Sequence, residues 1–328
     1  MNVSIENKKR VSIVLCTYNG EQFLREQLDS IINQSYPIYE LIIQDDGSID
    51  NTTSIISEYA NRYPIIKCMQ NIREHGVNSN FFSAMKKATG EYIAIADQDD
   101  IWMANKIEKQ MKVIGDNLMC SHLSMPFPQT FFDMRKPNYN LLRLLFVGSS
   151  VPGHTILMRK DLLDLLPDLK IYQNIRFYDA ILSMVAAAYE SITFIEEPLV
   201  MHRVYTNSAS YTKPLNYSKT LPNIFRHMKR DFNLYKELRP FIIERQTIHI
   251  EFLNCIKSDK QILKDSVYML NLQISKSVID FVKLQFFCMK HCTKLFYAMQ
   301  QINLFTILRG AFFPISCSEY FRFMSKKY

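Results

Sequence analysis

The stretch VSIVLCTYNGEQFLREQLDSIINQSYPIYELIIQ, residues 11–44, decides the fold. Its first seven residues are short, largely apolar and β-branched, which reads as a buried strand. Tyr18-Asn19-Gly20 then breaks the run with turn chemistry. Over residues 21–34, Phe23, Leu24, Gln27, Leu28, Ile31 and Ile32 recur at helical spacing as one stripe. Pro37 ends that helix, and ELIIQ at 40–44 is a second strand. The alternation continues downstream. Asp45-Asp46-Gly47-Ser48 is a loop, and Ser48 or Asp50 can cap a helix running to about residue 63. A third strand is expected at 65–69 and a third helix at 78–88, closed by Gly90. A fourth strand at 91–96 stops at Asp97-Gln98-Asp99-Asp100. Strands and helices alternating in this way predict an α/β fold with a mainly parallel sheet flanked by helices. Ligands of such sheets bind beyond the carboxyl ends of the strands. Residues 17–20, 45–48 and 97–100 all lie at such ends.

Beyond residue 100 the pattern is more mixed. Trp102, the only tryptophan, reads as the core anchor of a helix at 103–113. An apolar stretch at 140–147 precedes a loop at 148–153 and a strand at 154–158. A short helix is expected at 161–166 and a longer one at 178–189, then strands at 192–195 and 198–202. From about residue 217 the pattern is helical to the end, with breaks expected near Pro240, Ser258 and Pro314. Seven of the 8 glycines fall in the first 153 residues, as turns in front and helices behind require.

Composition limits the function classes. At 328 residues the chain holds about two domains of roughly 150 residues. Apolar residues at 48% and charged residues at 22% exclude disorder of the whole chain. Residues 295–317 come nearest to a membrane span, but Arg309, Gln300, Gln301 and Asn303 interrupt them. MNVSIENKKR has no apolar core, so no secretory signal is expected and the chain reads as cytoplasmic. Seven cysteines without a C-x-x-C pair are the mark of reduced thiols. Cys288, His291 and Cys292 are too sparse for a metal site and are expected to pack. The net charge of +7 is uneven. Residues 213–328 hold 19 Lys and Arg against 8 Asp and Glu, a balance of +11, which leaves −4 for residues 1–212. Such asymmetry suits an anionic partner surface, or is ordinary solvated charge on helix faces.

Asp97-Gln98-Asp99-Asp100-Ile101-Trp102 is the strongest chemical motif. Three carboxylates in four residues repel one another unless a cation lies among them. With no adjacent His or Cys they favour Mg²⁺ or Mn²⁺. The plainer alternative is an acidic turn with Asp100 capping the next helix. Asp45-Asp46-Gly47-Ser48-Ile49-Asp50 is the second motif; a carboxylate there can accept a hydrogen bond from a base or a ribose. Neither G-x-G-x-x-G nor G-x-x-x-x-G-K-[ST] occurs, which argues against a dinucleotide oxidoreductase and a phosphate-loop NTPase.

VSIVLCTYNG, DDGSIDNT and GEYIAIADQDDIW, in this order and spacing, resemble a family 2 glycosyltransferase. The resemblance is clear over residues 10–115 and traceable to about 212, and DQDDIW is similar to the rhamnosyltransferase-like enzymes of bacterial surface polysaccharides. It implies the GT-A fold, Rossmann-like, over residues 1–212. The helical region at 213–328, with its +11 balance and its aromatic and Leu-rich stretches, is expected to serve a membrane surface or dimerisation. The resemblance implies inverting transfer from a UDP- or dTDP-sugar to a saccharide or lipid-linked saccharide acceptor, with Mg²⁺ or Mn²⁺ as cofactor and no nucleic acid as partner. Thr17, Tyr18, Asn19 and Asp46 would hold the nucleotide, Asp97 and Asp99 the metal and donor, and Arg203 the diphosphate. Asp179 would be the catalytic base. The family's Tyr-Arg-x-His-x-x-Asn segment is altered here: Arg203 and Asn207 match, His202 replaces the Tyr and Tyr205 replaces the His. His154, after Gly153, falls near the acceptor side or is a satisfied loop histidine. A homodimer and a place at the inner face of the membrane fit the same picture. A nucleotidyltransferase and a non-catalytic subunit of a polysaccharide assembly complex stay open as alternatives.

Overall fold

The computed structural model describes residues 8–72, 74–128, 137–147, 150–168, 177–204, 221–296 and 304–325. They fall into two compact units, one within 1–134, 151–182 and 191–209 and the other within 135–150, 183–190 and 210–328.

The first unit is built on one eight-stranded sheet. Its strands are β1 (Val11–Thr17), β2 (Glu40–Asp45), β3 (Ile66–Gln70), β4 (Tyr92–Ala96), β5 (Ile101–Trp102), β6 (Met119–Phe127), β7 (Leu157–Arg159) and β8 (Ile192–Arg203). They are ordered β3-β2-β1-β4-β7-β6-β8-β5. The pairs β1–β2, β1–β4, β2–β3 and β6–β8 are parallel. The pairs β4–β7, β6–β7 and β5–β8 are antiparallel, so the parallel character lies mostly in the front half. There β1 and β2 are buried along their whole length, as strands covered by helices on both faces must be. The chain leaves β1 towards β2 and β3, then returns to the other side of β1 as β4. That reversal opens a crevice at the carboxyl ends of β1 and β4.

The front helices are α1 (Leu24–Ile32), α2 (Thr52–Arg62) and α3 (Val77–Lys87). The face of α1 buries Leu24, Gln27, Leu28 and Ile31, most of the stripe seen in sequence. The helix starts later than expected because Gly20 O accepts from both Phe23 N and Leu24 N in a turn. Neither expected cap of α2 occupies the cap position, which is Asn51. Asp50 still accepts from Thr52 N at 3.0 Å, whereas Ser48 turns back to Asp45. Gly90 does not close α3, whose cap is Ala88. It lies against β1, where a Cβ would meet Ser12 Oγ at 2.6 Å and Arg10 O at 2.8 Å.

Later elements depart further from expectation. Helix α4 (Lys106–Ile114) begins three residues late, because Ile101 and Trp102 pair with Met201 and Val200 as β5. The two strands expected at 192–202 are one, β8, whose register against β6 shifts twice around Pro198. A residue without N–H belongs at such an irregularity. The strand expected at 154–158 is a 3₁₀ turn, Gly153–Thr155, followed by β7, and 161–166 is a 3₁₀ segment, Lys160–Leu165. Helix α6 spans Tyr178–Ala188.

The second unit is helical: α5 (Leu141–Val147), α7 (Leu221–Asn254), α8 (Gln261–Ile274), α9 (Val278–Lys290), α10 (Cys292–Leu295), α11 (Leu304–Ser316) and α12 (Ser318–Ser325). Of the three expected breaks, those near Ser258 and Pro314 are present: α7 ends at Asn254, and α11 ends at Ser316, two residues past Pro314. Pro240 lies inside α7, and Pro314 lies in the last turn of α11. Each removes a single backbone hydrogen bond, and packing of the flanking turns outweighs that loss. Arg239 donates to the carbonyls of Gln273 and Ser275 at the end of α8, and buried Gln246 joins Gln273 at 2.9 Å. Phe313 packs between Phe146 and Phe296, both 4.9 Å away between ring centres. All seven cysteines are free; Cys288 and Cys292 are buried, and His291 stacks on Phe287 at 4.3 Å, so the trio packs as expected. Among the described residues no helix is long and apolar enough to cross a membrane.

Candidate active site

The crevice between β1 and β4 is closed at its base by side chain to backbone bonds. Gln98, beyond β4, accepts from Tyr18 N at 2.9 Å and donates to Tyr18 O at 3.1 Å, pairing like another residue of strand. A Cβ on Gly20 would collide with that amide, which is why the T-Y-N-G turn ends in glycine. Asn19 takes a positive φ of 48°, a conformation its short polar side chain tolerates. Its N–H donates to Ser48 Oγ and its Oδ1 accepts from Ile49 N, both at 2.9 Å. The loops after β1, β2 and β4 are therefore one hydrogen-bonded assembly, with the Tyr18 ring exposed at its rim.

The adjacent aspartates at the end of β2 have different surroundings. Asp45 is buried and accepts from Thr17 Oγ1 at 2.8 Å, from Gly47 N at 3.0 Å and from Ser48 N at 2.8 Å. It shapes the loop, and Thr17 is its partner. Asp46 is nearer the surface; it accepts from Asn71 Nδ2 at 2.7 Å and Gly76 N at 2.8 Å, with His75 Nδ1 at 3.1 Å. Asn71 and His75 carry no signal in the sequence, because they lie on the loop after β3, far from either motif.

The aspartates after β4 divide in the same way. Asp100 is fully buried and does not cap α4. Its Oδ1 accepts from Arg203 N at 3.1 Å and lies 3.0 Å from His202 Nδ1. Its Oδ2 has no hydrogen-bond partner and lies 3.6 Å from His154 Nδ1, which is also 3.5 Å from Asp97 Oδ2. The two imidazoles stack at 4.5 Å, and His154 Nε2 is held by Ser124 Oγ at 2.9 Å. Burial pulls the His202 pKa down, but the bond to Asp100 and the charges of Asp100, Asp97 and Asp99 outweigh it and raise it. Burial pushes the Asp100 carboxyl up; the two histidines and Arg203 N bring it below the usual range.

Arg203 is enclosed. Its Nε donates to Asp99 O at 3.0 Å, its terminal nitrogen pairs with Glu26, and its guanidinium lies 4.2 Å from the Phe23 ring centre. Tyr205 and Asn207 lie outside the described residues. Asp179 stands in the first turn of α6, where its Oδ1 accepts from Ala180 N at 2.7 Å. Its neighbour Tyr178 is buried, stacks on Phe81 at 4.0 Å and places its hydroxyl where a Cβ on Gly153 would be. Burial pushes the Tyr178 phenol well up, and the charges of Asp97, Asp179 and Asp100 add to it.

The donor set suits a divalent cation. Asp100, His154 and His202 offer ligand atoms within 4.8 Å of one another, and Asp100 Oδ2 is a buried oxygen still lacking a partner. Asp97 borders the same group, and Asp99 lies between it and Asp100 in the chain.

The model of the glycosyl transferase family 2 matches residues 12–166. Residues 12–166 are a family 2 glycosyltransferase domain. Among curated proteins, the Escherichia coli UDP-Glc:alpha-D-GlcNAc-diphosphoundecaprenol beta-1,3-glucosyltransferase WfgD is 36% identical over 107 residues, 33% of this chain and 42% of its own length. The Shigella flexneri dTDP-rhamnosyl transferase RfbG is 38% identical over 112 residues, 32% of this chain and 39% of its own. The chain thus covers about two fifths of the length of these relatives. The fold is like that of S. aureus TarS, solved in complex with UDP, at a TM-score of 0.55 and 15% identity, over 95% of this chain and 91% of that one. The architecture is therefore the GT-A fold with a helical C-terminal region.

Proposed function

We propose that this chain transfers a sugar from a nucleoside-diphosphate sugar to an acceptor hydroxyl with inversion, in the synthesis of a bacterial surface polysaccharide. The observation that carries this is the joining of the three sequence motifs into one assembly at the crevice between β1 and β4. The named activities of WfgD and RfbG support a UDP- or dTDP-sugar donor and a lipid-linked saccharide acceptor. In this reading residues 1–212 are the catalytic domain and 213–328 a helical accessory region. The protein works in the cytoplasm at the inner face of the membrane.

The residues divide the work by position. Thr17, Tyr18, Asn19 and Asp46 form the nucleotide side, with the exposed Tyr18 ring available to a base and Asp46 to a polar donor. Asp97 and Asp99 hold Mg²⁺ or Mn²⁺, with His154 beside Asp97 and the Asp100–His154–His202 group next to it. A bound cation would neutralise charge on the departing diphosphate. Imidazole so close favours Mn²⁺ over Mg²⁺, because nitrogen donors suit the softer ion. Arg203 adds positive charge on the diphosphate side and keeps the Asp99 backbone in place. Asp179 takes the proton of the attacking acceptor hydroxyl.

A panel of nucleotides with and without Mn²⁺, read by thermal shift, then a donor screen detecting released nucleoside diphosphate, tests the proposal. Stabilisation by UDP or dTDP with Mn²⁺, and release only with acceptor present, is the expected outcome. Pyrophosphate release would point to a nucleotidyltransferase. Nucleotide binding without any release would point to a non-catalytic subunit.

A further inference from the structure

Helices α9 and α11 of the second unit pack on each other closely. A Cβ on Gly310 would meet Cys288 O and Met289 Cα at 2.8 Å, and Gln285 Nε2 donates to Ala311 O at 2.9 Å. Higher numbers on α9 meet lower numbers on α11, which is the order of an antiparallel pair. Beside this contact each helix leaves an apolar stripe uncovered. On α9 it is Val278, Ile279, Val282 and Phe286; on α11 it is Leu304, Phe305 and Leu308. Phe286, Leu304 and Phe305 are 63%, 72% and 68% exposed.

The two stripes face the same side. On α11, Leu304 and Leu308 lie about 70° and about 110° past the direction midway between Gly310 and Ala311, in the sense of rising residue number at roughly 100° per residue. On α9, Val282 and Phe286 lie past Gln285 and Cys288 in the same sense. Rotation in the same sense about two antiparallel axes carries both stripes to one side of the pair. Phe313 and Phe321, elsewhere in this unit, are buried. The Phe323 side chain, Lys326 and Lys327 lie outside the described residues.

The charge on α9 and just before it is mainly positive. Lys276, Lys283 and Lys290 stand there against a single acid, Asp280, which pairs with Lys283. Exposed apolar residues bordered by cations are what insertion at an interface with anionic headgroups requires. A second copy of this face would bring like charges together, so the complementary occupant is an anionic surface.

We infer that the α9–α11 pair is a membrane-docking face, inserting Val278, Ile279, Val282, Phe286, Leu304, Phe305 and Leu308 into an anionic leaflet. This deepens the reading of a lipid-linked acceptor, but docking and donor binding are measured separately. The test is flotation of the full chain with vesicles of phosphatidylcholine alone and with phosphatidylglycerol added, at low and high salt. The variant is Phe286→Ser with Phe305→Ser and Leu308→Ser; circular dichroism and the Mn²⁺–UDP thermal shift serve as controls. The wild type is expected to float only with the anionic vesicles, less at high salt. The variant is expected to lose at least tenfold in bound fraction with both controls unchanged. Equal flotation of variant and wild type, or none with anionic vesicles, would overturn the inference. So would a wild-type dimer in light scattering that the variant abolishes, since the face would then be covered by a second copy. Failure of the UDP shift with flotation intact would count against the transferase reading and leave the docking face standing.

Discussion

At the scale of single residues, adjacent carboxylates of one motif do different work, and burial sorts them. Asp45 is buried and bonded to Thr17 and its own loop, and Asp100 is buried and bonded to the end of β8, whereas Asp46 and Asp97 are partly exposed. Sequence shows that carboxylates cluster; it does not show which of them are structural, because strand twist and loop closure decide that. His154 and His202, 48 positions apart, carry no joint signal in sequence, and only the β7–β6–β8 pairing brings them to one aspartate. Two predictions belong here. Asp99→Ala is expected to remove the metal-dependent part of nucleotide binding and to abolish transfer, read by calorimetric titration of UDP with and without Mn²⁺. Normal binding in the variant, with EDTA harmless, would sink the metal assignment. Asp179→Asn is expected to lower kcat by on the order of 10²–10⁴-fold with donor affinity unchanged, because a base acts on the acceptor proton. Collapse of donor affinity would make Asp179 a donor ligand instead.

At the scale of elements, the front of the sheet was legible because β1, β2 and β4 are short runs bounded by turn chemistry. The back was not. The residues 154–158 are β-branched or apolar enough for a strand, yet Gly153–Thr155 folds as a 3₁₀ turn against Tyr178, a contact distant in sequence. Pro240 misled in the opposite way, since local propensity gave a break where packing keeps the helix. Gly310 shows packing at its tightest. Gly310→Leu is expected to destabilise by about 1–3 kcal/mol or more, because its side chain must enter the backbone of α9. Chemical denaturation monitored by circular dichroism measures this, and an unchanged midpoint would show that α9 moves aside freely.

At the scale of the whole molecule, stability against pH reflects two buried groups, Lys106 at the start of α4 and Glu40 at the start of β2. Lys106 is fully buried, its Nζ 3.7 Å from the Trp102 ring centre with Gln110 Oε1 at 3.2 Å. Burial lowers its pKa to about 7, against 10.5 ordinarily. Glu40 is buried as well; burial pushes its carboxyl up, but bonds from Lys67, Ser12 and Thr89 prevail and bring it to about 2. The signs follow from proton counting. Between pH 7 and 10.5 the unfolded chain holds the lysine proton and the folded chain does not, so Lys106 makes stability rise with pH there. Below pH 7 both states hold it, and the full penalty of a buried ammonium is present. For Glu40 the folded pKa is depressed, so its contribution is present above the ordinary 4.5 and is lost as pH falls through about 2. Lys106→Met is therefore expected to raise stability at pH 7 by on the order of 1–4 kcal/mol, replacing a charge by an apolar chain of similar length. It is also expected to flatten the rise between pH 7 and 10, while leaving the acid limb near pH 2–4 in place, since Glu40 keeps its partners. Urea midpoints of wild type and variant at pH 3, 7 and 9.5 measure all three. A variant less stable than wild type at pH 7, with the alkaline rise intact, would mean that the lysine is held as a paired cation and that its burial is compensated.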